Sequence, residues 1–213
     1  QISASSVRAA SVPERMARAF GVETKPFFAT GISSVLHPRN PHVPTVHFNF
    51  RYFALGDDLA NPEDEWFGGG ADLTPYFPVL DDVVHFHTVW KDACARHPAV
   101  ADYAAFKAKC DDYFHLPHRN EARGVGGIFF DYLRDDSAAA FAFVEDAGHA
   151  VLDAYAPIEE RRKDQAFAER LVVLDDAVVD QGQDTIAADV RVSVAVAGRP
   201  VGRPARVADA QIA

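Results

Sequence analysis

No apolar run in this chain approaches the roughly 20 residues that a membrane-spanning helix requires, so no span is expected. Cysteine is scarce as well: Cys94 and Cys110 are the only two, and they do not form a CxxC pair. A disulfide framework or a structural zinc site is therefore disfavoured, and two buried thiols in a reducing compartment are expected. Basic residues are outnumbered, 21 Lys and Arg against 31 Asp and Glu, giving a formal charge of −10. That balance argues against nucleic acid as a partner, which needs a basic footprint. It also requires any polyanionic small molecule to be captured by a local basic cluster, against the net field. The one methionine is Met16, and the chain opens at Gln1 without a basic segment followed by an apolar one. No signal peptide is visible; the sequence reads as a fragment or processed form, expected in the cytoplasm, with any organellar targeting segment removed. HExxH, a Ser-His-Asp order and an internal repeat are also missing. The 213 residues suit one domain or a fused pair, and 48% hydrophobic with 24% charged residues is ordinary for a soluble globular protein.

What is present centres on GISSVLHPRNPHVPTVHFNFRYF, residues 31–53. From Thr45 to Phe53 the chain alternates without a break. Val46, Phe48, Phe50 and Tyr52 take one side; Thr45, His47, Asn49 and Arg51 take the other. Period two with aromatic and β-branched residues predicts a strand with one buried face. The opposite face then carries an imidazole, an amide and a guanidinium in a row about 13 Å long, at ~3.3 Å per residue. Residues 31–37 are also strand-like, and three prolines between Pro38 and Pro44 predict a turn. If the two strands pair, Ser33 and His37 join the polar face. The plain alternative is a solvated outer face of an antiparallel sheet.

Around that stretch, Ser11-Val12-Pro13-Glu14 has the form of a capping box, opening a short helix that stops near Gly21. In WFGGGADLTPYF, residues 66–77, three glycines in a strand mark close approach of a backbone or ligand. They are not a phosphate loop, since no Gly-Lys-Ser/Thr follows. Helices are expected from Asp81 to about Arg96, from Val100 to about Phe114 and from Ser137 to about Ala156. His87 points inward on the first of these, and spacing alone favours a core histidine satisfied by a neighbour. HRNEARGVGGIFFDYL, residues 118–133, crowds His118, Arg119, Glu121 and Arg123 into a glycine-rich loop before an aromatic strand, the kind of polar density that goes with a site. Arg161-Arg162-Lys163-Asp164 reads as a solvated charge run. Together the polar residues support an anion-binding α+β enzyme: guanidinium groups to hold carboxylates, imidazoles as acid or base, and Asp72 in a glycine-walled segment. Several histidines could instead make a mononuclear metal site, though none of their spacings is a specific ligand signature.

Those three stretches, with PIEERRKD at 157–164, closely resemble oxygen-dependent coproporphyrinogen III oxidase, in order from about Phe27 to about Asp164. The resemblance implies a large antiparallel sheet flanked by helices on both faces, assembled as a homodimer; residues 1–213 are expected to form one such domain, N-terminally truncated and atypical from about residue 170. It implies oxidative decarboxylation of two propionates of coproporphyrinogen III to vinyls with O2, giving protoporphyrinogen IX in haem biosynthesis. No organic cofactor is implied; a divalent metal role for the histidines is.

Position by position, Ser33, Asn49 and Arg51 match substrate-binding residues, and His47 matches the proton donor. His37, His47, His87 and His118 match the proposed metal ligands, and Asp72 an acid at the pyrrole nitrogens. Two departures stand out. The family's long N-terminal portion is missing, and beyond Glu169 its Phe-Asn-Leu strand, Asp-Arg-Gly-Thr turn and Gly-Gly-Arg contact give way to an atypical segment. There Arg191 is offered in place of the Gly-Gly-Arg arginine. Since the family builds much of its dimer contact in that region, a weaker dimer is expected. The competing readings are an inactive tetrapyrrole-binding or scaffold protein of the same fold, and a histidine-ligated metal oxygenase with an unrelated substrate.

Overall fold

The computed structural model describes residues 2–22, 24–58, 60–167, 170–174 and 192–196. Two compact units divide the chain, Gln1–Gln165 and Ala166–Ala213. The first opens with strand β1 (Ile2–Ala9), helix α1 (Glu14–Phe20) and strands β2 (Phe27–Leu36), β3 (Thr45–Leu55) and β4 (Asp64–Thr74). Helices α2 (Leu80–Ala95) and α3 (Tyr103–Tyr113) follow, then a ribbon of β5 (His115–Leu116) with β6 (Glu121–Ala122). Strand β7 (Gly126–Leu133) and helix α4 (Ser137–Arg162) complete it. The five long strands form one sheet in the order β1-β2-β3-β4-β7, every neighbour antiparallel. In the second unit, β8 (Arg170–Leu174) pairs antiparallel with β9 (Val192–Val196). The α+β class with an antiparallel sheet is thus observed.

Alternation in β3 decides what each face of the sheet does. Val46 and Phe50 are buried with Ala71 and Leu73 of β4 and Ile128 and Phe130 of β7. Phe86, Trp90 and Ala93 of α2 and Phe143, Ala147, Ala154 and Ile158 of α4 close the same cluster. The other face is covered differently. At one end Phe27, Phe53, Leu55 and Trp66 pack with Val12 and Ala17, so α1 lies on that side. The rest of that face carries the polar row.

Several local expectations change. Ile2–Ala9 form the edge strand β1, an element the sequence reading does not include. Helix α1 begins at Glu14 after Pro13, with no side-chain cap, and ends on Gly21 in the left-handed conformation (φ 64°). The second of the expected helices starts at Tyr103 rather than Val100 and ends at Tyr113, which is 64% exposed and stacks on Phe129 at 4.3 Å. Helix α4 does not stop near Ala156 but runs through Pro157 to Arg162. Proline leaves the carbonyl four residues earlier without its helical donor, and His85 Nε2 meets that oxygen, Asp153 O, at 3.0 Å. Nor is the Arg161-Arg162 run merely solvated. Both guanidinium groups hold the buried Asp82 of α2, Arg162 Nε at 2.7 Å from Oδ2 and Arg161 Nη2 at 3.1 Å from Oδ1. Asn40, in the proline-rich turn, donates Nδ2 to the carbonyls of Lys163 (3.0 Å) and Gln165 (2.8 Å), tying that turn to the end of α4.

Candidate active site

The hairpin of β2 and β3 places Ser33 opposite Asn49 and Gly31 opposite Arg51. Across the next ladder β4 sets Asp72 opposite His47, Gly70 opposite Asn49 and Gly68 opposite Arg51. With side chains alternating along each strand, all of these share one face. Five of the expected site residues therefore come together: Ser33, His47, Asn49, Arg51 and Asp72. His37 does not join them: it lies past the end of β2 and is exposed.

Two polar knots stand on this face. In the first, Asp72 is 4% exposed and both its oxygens are used. Oδ1 lies 2.9 Å from His47 Nδ1, and Oδ2 accepts from Arg123 Nη2 at 2.6 Å. In the second, Arg51 donates through Nη1 to Asn49 Oδ1 (2.6 Å) and through Nη2 to Asp131 Oδ2 (3.0 Å). Asp131 follows Phe129 by two residues on the same face of β7, and it reaches Arg51 because Gly68 lies between them. A Cβ on Gly68 would sit 2.5 Å from Asp131 Oδ1 and 2.9 Å from Arg51 Nε. Gly70 serves the sheet, since a side chain there would collide with the Ile128 carbonyl oxygen of β7. The expected close approach at the glycines is thus made by the protein's own ion pair and backbone.

An aromatic shelf borders both knots. The Arg51 guanidinium carbon lies 5.9 Å and Lys109 Nζ 5.3 Å from the centroid of Phe129. The Arg123 guanidinium carbon lies over the Phe114 ring, 3.7 Å from its centroid. Such contacts hold cations in place while leaving their outer N–H groups to a ligand. A guanidinium has five N–H donors, and Arg51 spends two on Asn49 and Asp131. Its side chain is 41% exposed, open to a carboxylate. Arg51→Lys keeps the charge and loses the fork, so binding of a coproporphyrin analogue is expected to weaken by about 1–3 kcal/mol. Calorimetric titration of the two proteins checks this, and equal affinities would remove Arg51 as a carboxylate clamp.

The four histidines proposed as metal ligands do not converge. Among the described residues no group of three or more His, Cys, Asp or Glu side chains is placed to hold a metal ion. His118 is exposed beside the β5–β6 ribbon. His87 is the satisfied core histidine that its spacing suggests. Val125 O, an acceptor only, lies 3.0 Å from its Nε2, so Nε2 carries the proton and Nδ1 accepts from Tyr103 OH at 2.9 Å. Burial lowers its pKa, which favours that neutral form. The residues present do not fit one shared ion. Arg191, the remaining candidate, lies outside the described residues.

Sequence reasoning missed Asp131, Lys109 and Phe114. Asp131 was legible only as the acid ending the Phe129-Phe130 run; the cross-strand pairing that sets β7 beside β4 and Arg51 leaves no local pattern. Cys94 and Cys110 are free, buried thiols, as expected, with burial pushing Cys110 up to about 12. No helix among the described residues is long and apolar enough to cross a membrane.

Fold and site together define a class: an α+β protein whose antiparallel sheet carries guanidinium groups beside an imidazole on one face. The chain belongs to the coproporphyrinogen III oxidase family, whose sequence profile matches residues 1–173. That match takes in β1 and α1, ahead of the motifs that carry the resemblance. An oxygen-dependent coproporphyrinogen-III oxidase of Francisella philomiragia is 50% identical over 159 residues, 74% of this chain and 51% of the relative. The same-named protein of Coxiella burnetii is 52% identical over 145 residues, 68% of this chain and 46% of its own. That of Drosophila melanogaster is 50% identical over 144 residues, 67% of this chain and 36% of its own. The chain thus spans about half the length, or less, of the curated relatives it matches.

Proposed function

We propose that this chain oxidatively decarboxylates two propionates of coproporphyrinogen III to vinyl groups, with O2 as the oxidant, giving protoporphyrinogen IX. The observation that carries the reading is the row of His47, Asn49 and Arg51 on one sheet face, in a chain of this family. Each propionate carboxylate loses CO2, two electrons and one proton, and one O2 takes up the electrons, that proton and a second from solvent to leave as hydrogen peroxide. No organic cofactor enters that balance, and no step is assigned to a metal.

Arg51, with Ser33 and Asn49 beside it, orients a propionate; Lys109 adds a second cation along the Phe129 shelf for a ligand with four carboxylates. His47 Nε2, which bonds to no described residue, is the atom available to exchange a proton with the pyrrole or its side chain. Oxygen uptake tests the reading. Two O2 consumed per coproporphyrinogen III supports it; analogue binding with no uptake would instead indicate the inactive scaffold. A reducing, cytoplasmic setting accords with the two free thiols.

We also infer a homodimer weaker than its relatives form, because the sequence after Glu169 departs from the family there. Light scattering across a dilution series is expected to show dissociation, and a dimer that persists at nanomolar concentration would contradict this.

A further inference from the structure

The resemblance puts Asp72 against the pyrrole nitrogens of the substrate, but its contacts describe another task. The carboxylate is 4% exposed, and each oxygen already has a partner, His47 on one and Arg123 on the other. We propose that Asp72 and Arg123 are positioning residues that fix His47 as its Nδ1-protonated tautomer, leaving Nε2 as the atom that exchanges a proton with the tetrapyrrole.

Arg123 holds its place by three independent contacts. Its backbone N–H donates to Phe114 O at 3.1 Å, and the neighbouring Val125 N–H donates to Leu73 O at 3.0 Å. These two bonds staple the loop ahead of β7 both to the end of α3 and to β4. Its guanidinium then lies 3.7 Å above the Phe114 ring. That ring meets the His47 imidazole edge-on at 6.2 Å. One aromatic side chain thus braces the cation and the imidazole together.

A carboxylate buried beside a guanidinium has its counter-charge supplied and needs no proton of its own. It is then purely an acceptor, and the only proton available for the 2.9 Å contact is on His47 Nδ1. The imidazole's second nitrogen is left bare when the ring is neutral and becomes an N–H donor when it is charged. His47 is partly exposed, 24% at its side chain, so Nε2 has a way to the open face. The other charged groups nearby do not compete. Asp111 is paired with Lys107 at 2.5 Å, and burial keeps the Cys110 thiol neutral. Between them the lining residues, Asp72, Arg123, Phe114 and Cys110 included, leave a cavity of about 10 Å³, room for about one water.

The substrate named in this proposal rests on the functional reading above; the tautomer does not. The test is two-bond ¹H–¹⁵N spectroscopy of the histidine-labelled full chain, combined with steady-state kinetics. In the parent protein neutral His47 is expected to carry its proton on Nδ1. Asp72→Asn can donate its amide to Nδ1 and is expected to move the proton to Nε2. Arg123→Gln is expected to lower kcat about tenfold or more with KM unchanged, the scale of a misplaced catalytic group. Arg123→Lys is expected to recover most of that loss. A parent His47 protonated on Nε2, or Arg123→Gln with parental kcat, would overturn the assignment. If Nδ1 carries the proton yet no turnover is seen in any protein, the positioning stands and the substrate reading fails.

Discussion

Asp72→Asn is expected to lower turnover about 100-fold or more while the protein stays folded and still binds a coproporphyrin analogue. Asparagine keeps the shape of the side chain but loses the charge that aligns His47 and balances Arg123. The competing role, a cap on the turn into Leu73-Thr74-Pro75, would require the carboxylate to accept from nearby backbone N–H groups. Its two hydrogen bonds run instead to side chains far away in sequence, His47 and Arg123. Turnover and melting temperature measured on this one variant separate the two roles. Near-parental turnover with a loss of about 1 kcal/mol in stability, the scale of a lost cap, would restore the capping role.

Asp82→Ala is expected to destabilise the first unit by about 3 kcal/mol, because it strands Arg162 in a half-buried position and releases the end of α4 from α2. Arg161 is the more exposed partner and contributes less through water. Thermal unfolding is expected to shift down by about 6–12 °C for a unit of this size. The ion pair also sets a pH dependence. Burial alone would push the Asp82 carboxyl up, but hydrogen bonds and charge from Arg162 and Arg161 outweigh it and hold it below its ordinary 3.8. A folded-state pKa below the unfolded one means that the unfolded chain binds more protons between the two values. The stabilisation is therefore complete above about pH 4 and is lost as pH falls through the folded value. Asp82→Ala is expected to flatten that part of the acid-unfolding curve; an unchanged curve and melting temperature would show the ion pair to be ornamental.

What the sequence made legible was periodic or locally punctuated. The alternation of β3 located both the buried face and the polar row, because a period of two leaves no freedom in which side each residue takes. Gly21 ended α1 as expected, and His87 was readable as a core histidine from helical spacing alone. Long-range pairing was not legible. Asp82 and Arg162 are 80 residues apart, and nothing in either segment marks the other. Asp131 reaches Arg51 only because β7 pairs with β4 across Gly68, and Arg123 reaches Asp72 only because its loop is stapled to Leu73. Proline at position 157 was a natural place to end a helix; α4 continues because His85, from another helix, meets the carbonyl that proline leaves without a donor. The histidines were gathered by resemblance as a ligand set, and the fold sends them to separate places.

The most direct test of the central claim is incubation of the full chain with coproporphyrinogen III under air and under argon, reading porphyrin fluorescence after the products are oxidised. Protoporphyrin formed under air, absent under argon and strongly reduced in Arg51→Lys and Asp72→Asn, is the predicted result. Coproporphyrin alone under both gases, from a chain that is folded and binds the analogue, would contradict it.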